Sequence, residues 1–179
     1  MHLEAALAAE SDAYRAQLGG LPSAELYARA RDAYLASHAE SGPQSWGRLV
    51  GALKMALLAG DGVEAVARTA LADTATAEGP AAGYARALAA VALGQVPDVA
   101  VMLEAGGAFE RTGLALQALA GGDDAGYQHA LHEIVDDFAG RDQHLSGVAV
   151  ADTAMVLERL AEPRGMAVRP DSPLMPPAP

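Results

Sequence analysis

Glycine and proline residues interrupt this chain at short, regular intervals, and their positions limit its fold more than any other feature. Between the interruptions, apolar residues recur every three or four positions, which is the spacing of one face of an α-helix. Alanine, the strongest helix former, is abundant, and no segment sustains the period-two alternation of a half-buried strand. The sequence therefore predicts an all-α protein. The expected helices span residues 2–18, 23–40, 43–59, 61–77, 80–93, a short stretch from 97 or 98, 108–120, 124–139 and 148–162.

Local signals mark several of the expected helix starts. Asp61 and Glu64 have the spacing of a capping box, with Asp in place of the usual Ser or Thr, at the start of the fourth helix. Pro43 and Pro80 open the third and fifth helices, because the first turn of a helix tolerates proline.

Three segments share one layout, in which an apolar helix end leads through a glycine-based turn and a polar cap into a new apolar helix. They span residues 55–71, 90–104 and 116–131. Gly60 and Gly94 lie 34 positions apart, which is the tetratricopeptide (TPR) period, although the signature residues of that repeat are absent. We expect antiparallel helical hairpins stacked as an irregular TPR-like solenoid. A helical bundle is the alternative, since hairpins with glycine turns occur in both.

A single α-helical domain is expected over residues 1–162, followed by a proline-rich C-terminal tail over residues 163–179. The tail contains six prolines from Pro163 onward, which prevent a helix from continuing and favour an extended or polyproline II segment. Leu174 and Met175 are candidates to dock this tail into a groove. The alternative is a mobile tail.

Composition and charge exclude several classes of protein. Apolar residues make up 51% of the chain, which is too many for a disordered protein. The formal net charge is −11, and an acidic surface repels phosphate backbones, so nucleic-acid binding is not expected. The same charge would attract a basic protein partner. The alternative is that it only keeps the protein in solution.

Membrane and redox signals are also missing from the sequence. No apolar run reaches the length of a membrane span, and residues 1–15 lack the basic region of a signal peptide. The chain contains no cysteine, which excludes disulfides, thiol nucleophiles and cysteine-ligated zinc. We therefore expect a cytoplasmic protein without membrane attachment.

Residues 125–144, AGYQHALHEIVDDFAGRDQH, hold three of the five histidines among four acidic residues. On a helix, the apolar and polar residues of this stretch fall on opposite arcs. The core-facing arc contains Tyr127, Ala130, Leu131, Ile134 and Phe138, with Val135 at its border. The arc that faces solvent or a partner contains His129, His132, Glu133, Asp136 and Asp137.

A metal site on this polar arc is one hypothesis. His129 and Glu133 are four positions apart, as are His132 and Asp136, so either pair could chelate a divalent ion. A catalytic zinc normally takes three protein ligands and a sheltered open position, and an exposed helix face provides neither. The zincin spacing and the nucleophile elbow are absent as well. No enzymatic activity and no cofactor are therefore expected, and a metal-dependent enzyme using these four residues is the third alternative.

Acidic residues line the outer side of the eighth helix and continue into the next loop. This acidic ridge consists of Asp123, Asp124, Glu133, Asp136, Asp137 and Asp142. Asp123 or Asp124 caps the helix, where negative charge is favourable. The ridge is expected to bind lysines and arginines of a partner, with Tyr14, Tyr27 and Tyr84 as hot spots if they are exposed. The alternative is a face that only meets solvent.

Three elements of the C-terminal half carry a resemblance to a known family. They are the hairpin ALAGGDDAGYQHALHEIVDDF, the alanine-rich helix VADTAMVLERLAEPRGMAV and the proline-flanked ending DSPLMP. Over residues 84–176 the chain resembles the immunity protein 49 family of bacterial polymorphic toxin systems, whose members are largely α-helical. The resemblance implies an intracellular antitoxin that binds and neutralises a cognate toxin. It transfers no functional residue by position, so the candidate site rests on charge and exposure.

The first functional hypothesis is accordingly a non-enzymatic, cytoplasmic immunity protein that occludes a basic surface of its toxin. The second is a TPR-like helical scaffold or regulatory module that binds a peptide in a groove. A homodimer is also compatible with the sequence, because the first helix is apolar on one side.

Overall fold

The computed structural model describes residues 2–42 and 44–177. Over these ranges the regular secondary structure is entirely helical, which confirms the all-α prediction. The helices are α1 (His2–Leu18), α2 (Ala24–Glu40), α3 (Trp46–Ala59), α4 (Val63–Asp73), α5 (Pro80–Ala92), α6 (Ala100–Ala105), α7 (Gly107–Gly121), α8 (Asp124–Ala139), α9 (Asp152–Ala161) and the 3-10 turn Glu162–Arg164. None of the helices in these ranges is both long enough and apolar enough to cross a membrane. The helix start expected at Pro43 lies outside the described residues.

Consecutive helices pack against each other along the chain: α1 against α2, α2 against α3, α4 against α5, and α7 against both α6 and α8. Helix α9 also reaches back to the first half, since it contacts α3 as well as α7 and α8. The buried side chains form one connected core, rich in alanine, in which Tyr14, Tyr27 and Tyr127 are the largest of the fully buried side chains. Small residues allow close helix approach, because a Cβ atom on Gly83 of α5 would collide with the Val101 side chain of α6.

The start of α4 differs from the capping box expected for it. The N-cap residue is Gly62, whose φ is 69°, and no side chain caps the helix. Asp61 instead accepts a hydrogen bond at 3.1 Å from Arg31 of α2. The capping-box prediction was wrong because a cation 30 residues away in the sequence engages this carboxylate.

The start of α9 also differs from the predicted helix at residues 148–162. Residues 148–151 are not helical, and α9 begins only at Asp152. The backbone N–H of Ala151 donates to the carbonyl of Leu174 at 2.9 Å, so the tail partners the segment that precedes the helix. The tail is therefore docked over the residues that the structure describes, with Leu174 and Met175 packed against the core.

Candidate functional site

Helix α8 carries the acidic ridge, and its local sequence explains its orientation. The carboxylate of Asp123 accepts a hydrogen bond from the backbone N–H of Gly126 at 3.0 Å, which satisfies one of the free donors of the first turn. The apolar arc is buried as the helical spacing predicts, with Tyr127 and Leu131 fully enclosed. The opposite arc therefore faces outward.

The ridge residues differ in what they contact. Five of them are exposed, namely Asp123, Asp124, Glu133, Asp136 and Asp142. The sixth, Asp137, is only 30% exposed and forms ion pairs with Arg111 of α7 and Arg141, each at 2.5 Å. Asp137 therefore ties α8 to α7 and to the following loop, and its charge is neutralised within the chain.

The histidines of the polar arc do not assemble a metal centre. His129 is 77% exposed, and its Nε2 atom lies 3.7 Å from Glu133. The Nδ1 atom of His132 lies 2.7 Å from the carbonyl of Gln128, within the same helix. Across residues 2–42 and 44–177, no group of three or more His, Asp or Glu side chains is arranged to hold a metal ion. The metal-enzyme alternative therefore has no support from the geometry.

The three tyrosines were named as hot spots on the condition that they are exposed, and the structure buries all three, so none of them can serve as one. Tyr14 is 1% exposed, Tyr27 is 0% exposed and Tyr84 is 9% exposed. The reason is tertiary packing: α1 lies against α2, and the rings of Tyr14 and Tyr27 meet edge to face with centroids 5.8 Å apart. The homodimer through α1, with which the sequence is compatible, is not tested by these contacts.

Beneath α1 lies a buried polar cluster that the sequence analysis missed. Lys54 of α3, the only lysine in the chain, donates to Asp152 at 2.7 Å and to Thr153 at 2.9 Å. Its side chain is 12% exposed and that of Asp152 is 20% exposed. Burial lowers the pKa of Lys54, but Asp152, Tyr84 and Glu10 together outweigh burial and raise the pKa above its usual value. The amine therefore stays charged.

Glu10 of α1 is the second carboxylate of this cluster. One oxygen accepts a hydrogen bond from the Tyr14 hydroxyl at 2.8 Å, and the other accepts one from the Tyr34 hydroxyl at 2.5 Å. Burial raises the pKa of Glu10 above its usual value of 4.5, while the hydrogen bonds from Tyr34 and Tyr14 oppose part of this rise. Glu10 thus prefers its neutral form more than an exposed glutamate does.

These groups form the inner wall of a cavity of about 180 Å³, the Lys54 cavity, lined by Glu10, Tyr14, Lys54, Asp152, Thr153 and residues of the loop at 141–150. The loop is attached to α1, because the Ser11 hydroxyl donates to the carbonyl of Ser146. One sequence signal could have indicated this site. Lys54 stands four residues after Val50 and three before Leu57, on the apolar side of α3, where a charged residue requires a buried partner.

A second site is the groove that holds the tail. Glu158 of α9 accepts hydrogen bonds from the backbone N–H groups of Val168 at 3.1 Å and Arg169 at 2.6 Å, and from the Tyr127 hydroxyl at 2.7 Å. The amide of Gln17 donates to the carbonyl of Pro177 at 3.0 Å. A cavity of about 330 Å³ remains between α1, α3, α9 and the tail. The tail groove thus combines backbone hydrogen bonds with an apolar surface.

No family model matches this chain, and no curated protein or solved structure matches it either. The resemblance to the immunity protein 49 family stays a prediction.

Proposed function

We propose that this chain is a non-enzymatic, cytoplasmic protein-binding protein whose acidic ridge docks on a basic surface of a partner. One observation carries the proposal. Asp124 and Asp136 of α8 and Asp142 of the loop after it are exposed, and they form no ion pair with any described residue. Their charge is therefore available to a partner, unlike that of Asp137.

The mechanism is electrostatic steering followed by occlusion. A net charge of −11 attracts a basic protein over a distance of about one Debye length, roughly 8–10 Å at physiological salt, and accelerates encounter. The rigid helix α8, anchored by its buried arc, then covers the basic surface of the partner. Together with the resemblance described above, this supports a specific form of the proposal, a bacterial immunity protein that neutralises a cognate toxin.

A co-expression experiment tests the immunity form. Each neighbouring gene is expressed in a sensitive host, alone and together with this chain. We expect one product to be toxic alone and harmless when it forms a stable complex with the chain. If no neighbour is toxic and none binds, the immunity form is rejected.

Charge reversal then tests the docking surface. Asp124→Lys combined with Asp136→Lys should slow association with the partner by about tenfold or more, because steering depends on local charge complementarity. Glu25→Lys combined with Glu104→Lys is the matched control, since both residues are exposed and the net charge changes equally. Equal slowing by both pairs, or an association rate that salt does not change, would place the docking surface elsewhere.

The docked tail favours a second candidate function, a TPR-like scaffold or regulatory module that binds peptides. In this proposal the hairpins stack as an irregular solenoid, and the tail groove accepts an extended proline-rich segment from a partner. Leu174→Asp in the full chain should release the tail and expose the groove. A labelled peptide of residues 169–177 should then bind the variant at least about tenfold more tightly than the wild type, since the wild-type tail competes at high effective concentration. Equal binding to both would reject this candidate.

A further inference from the structure

We propose that the Lys54 cavity is a binding site for a small primary ammonium compound. The proposal does not depend on the acidic ridge, because none of the six ridge residues lines the cavity. It rests on the charge balance, the hydrogen-bonding capacity and the size of the cavity.

The charge balance of the inner wall favours a cation. Two carboxylates, Glu10 and Asp152, face a single ammonium group, that of Lys54. Glu10 is only 6% exposed, so its excess negative charge is poorly solvated. The raised pKa of Glu10, caused by burial, agrees with this imbalance. A bound cation would compensate the charge without requiring Glu10 to take up a proton.

Hydrogen-bonding capacity favours an ammonium group in particular. Lys54 already directs two of its three donors to Asp152 and Thr153, and Asp152 also accepts from the backbone N–H of Thr153 at 2.8 Å. Each oxygen of Glu10 accepts one tyrosine hydroxyl. An ionised carboxylate has about four acceptor positions, so both carboxylates retain free acceptors. The inner wall therefore presents unused acceptors, which a primary ammonium group with three donors would satisfy.

Two further charged or titratable residues line the cavity, Arg141 and His144, and they do not block this assignment. Arg141 lines the cavity, but its guanidinium pairs with Asp137 at 2.5 Å and lies 3.7 Å from the centre of the Phe138 ring. His144 stacks on Phe138, and its buried Nδ1 atom has no hydrogen-bond partner among the described residues.

Size limits the ligand. A volume of about 180 Å³ is smaller than the roughly 300–1,000 Å³ of pockets that hold drug-sized ligands. An amine with a short carbon chain fits, whereas a bulky quaternary ammonium ion does not. A metal ion is the less favourable cation, because the lining residues form no group of three metal ligands and Lys54 already occupies Asp152.

The probes for the experiment are propylammonium, propionate and tetrabutylammonium, added to the full-length protein at constant ionic strength near neutral pH. Propylammonium should raise the Tm by a few degrees at saturation, because a ligand that binds only the folded state stabilises it. Propionate has the wrong charge and tetrabutylammonium is too large, so neither should raise the Tm. Equal effects of both cations would indicate non-specific binding to the acidic surface and would overturn the proposal.

Variants and direct mapping locate the site. Glu10→Gln should weaken propylammonium binding at least tenfold, while Glu4→Gln, an exposed carboxylate on the same helix, should leave it unchanged. Methyl NMR of the wild type gives a readout that does not depend on the folding of any variant. The Val148 and Val150 methyl signals should shift on addition of propylammonium, since both residues line the cavity. Shifts confined to other methyl groups, or none, would overturn the proposal.

Discussion

The Nζ atom of Lys54 lies 2.7 Å from the Oδ2 atom of Asp152, so the only lysine of the chain joins α3 to the first residue of α9. The two residues are 98 positions apart in the sequence. A partly buried pair of this kind adds little beyond what apolar residues would contribute, but the loss of one partner leaves an uncompensated charge. The pair therefore constrains which substitutions the core tolerates.

Lys54→Met should lower the free energy of unfolding by about 3–5 kcal/mol, because Glu10 and Asp152 would remain buried without a cation. The measurement is chemical denaturation near neutral pH. Arg68→Met is the control, since Arg68 pairs with Glu64 on the surface with both side chains 70% exposed. Arg68→Met should lower the free energy of unfolding by less than about 1 kcal/mol. Equal losses in the two variants would show that the Lys54 cluster is hydrated like a surface pair.

Glu10→Gln should change how stability depends on pH. The folded-state pKa of Glu10 is raised above its usual value of 4.5, so folding favours the protonated form. The stabilisation from this group is fully present below pH 4.5 and is lost as the pH rises through the raised folded-state pKa. Relative to Glu10→Gln, the wild type should therefore lose stability as the pH rises across this window. If the difference in unfolding free energy between the wild type and Glu10→Gln did not change with pH, the prediction would be contradicted.

Asp137→Asn should lower the free energy of unfolding by about 1–2 kcal/mol, because Arg111 and Arg141 would lose a partly buried carboxylate. The neighbouring Asp136→Asn is the control, since Asp136 is exposed and forms no ion pair with a described residue. It should change stability by less than about 0.5 kcal/mol. Thermal denaturation of the two variants distinguishes an anchoring residue from one whose charge faces solvent.

Glu158→Ala should release the start of the tail. The Val168 and Arg169 amides would lose their carboxylate acceptor, so their hydrogen exchange should accelerate by about tenfold or more. Tyr127→Phe removes only the hydroxyl donor to the same carboxylate and should leave both amides protected. If Tyr127→Phe accelerates the exchange of both amides as much as Glu158→Ala does, the hydroxyl of Tyr127 is needed to hold the Glu158 carboxylate in place, and the carboxylate alone does not retain the tail.

Gly83→Ala should destabilise the fold by about 1–3 kcal/mol, because the added Cβ atom would collide with Val101 where α5 meets α6. Gly47→Ala in α3 is the opposite case. Gly47 is exposed and no atom of the described residues lies within 4 Å of its added Cβ, so the better helix propensity of alanine should stabilise the protein by about 0.5–1 kcal/mol. The measurement is chemical denaturation of both variants. If Gly83→Ala raised the free energy of unfolding, as Gly47→Ala should, the packing seen at Gly83 would be contradicted.

Local patterns predicted the helices well where short-range spacing decides the structure. The buried arc of α8 and its Asp123 cap follow from helical periodicity and cap chemistry within one segment. The capping box at Asp61 failed because Arg31 engages that carboxylate, and the tyrosines cannot serve as hot spots because packing buried them. In these cases the competing partner comes from another helix, which no local pattern reveals.

The amino-acid sequence by itself determined the all-α class, most helix bounds and the outward face of α8, since these depend on residues within a few turns of each other. Only the tertiary structure brought Glu10, Lys54 and Asp152 to one cavity and placed Glu158 under the tail. Those residues come from distant segments, and a single sequence does not show which segments meet. The physical reason is that a buried charge demands a partner, but the location of that partner is decided by how the helices pack.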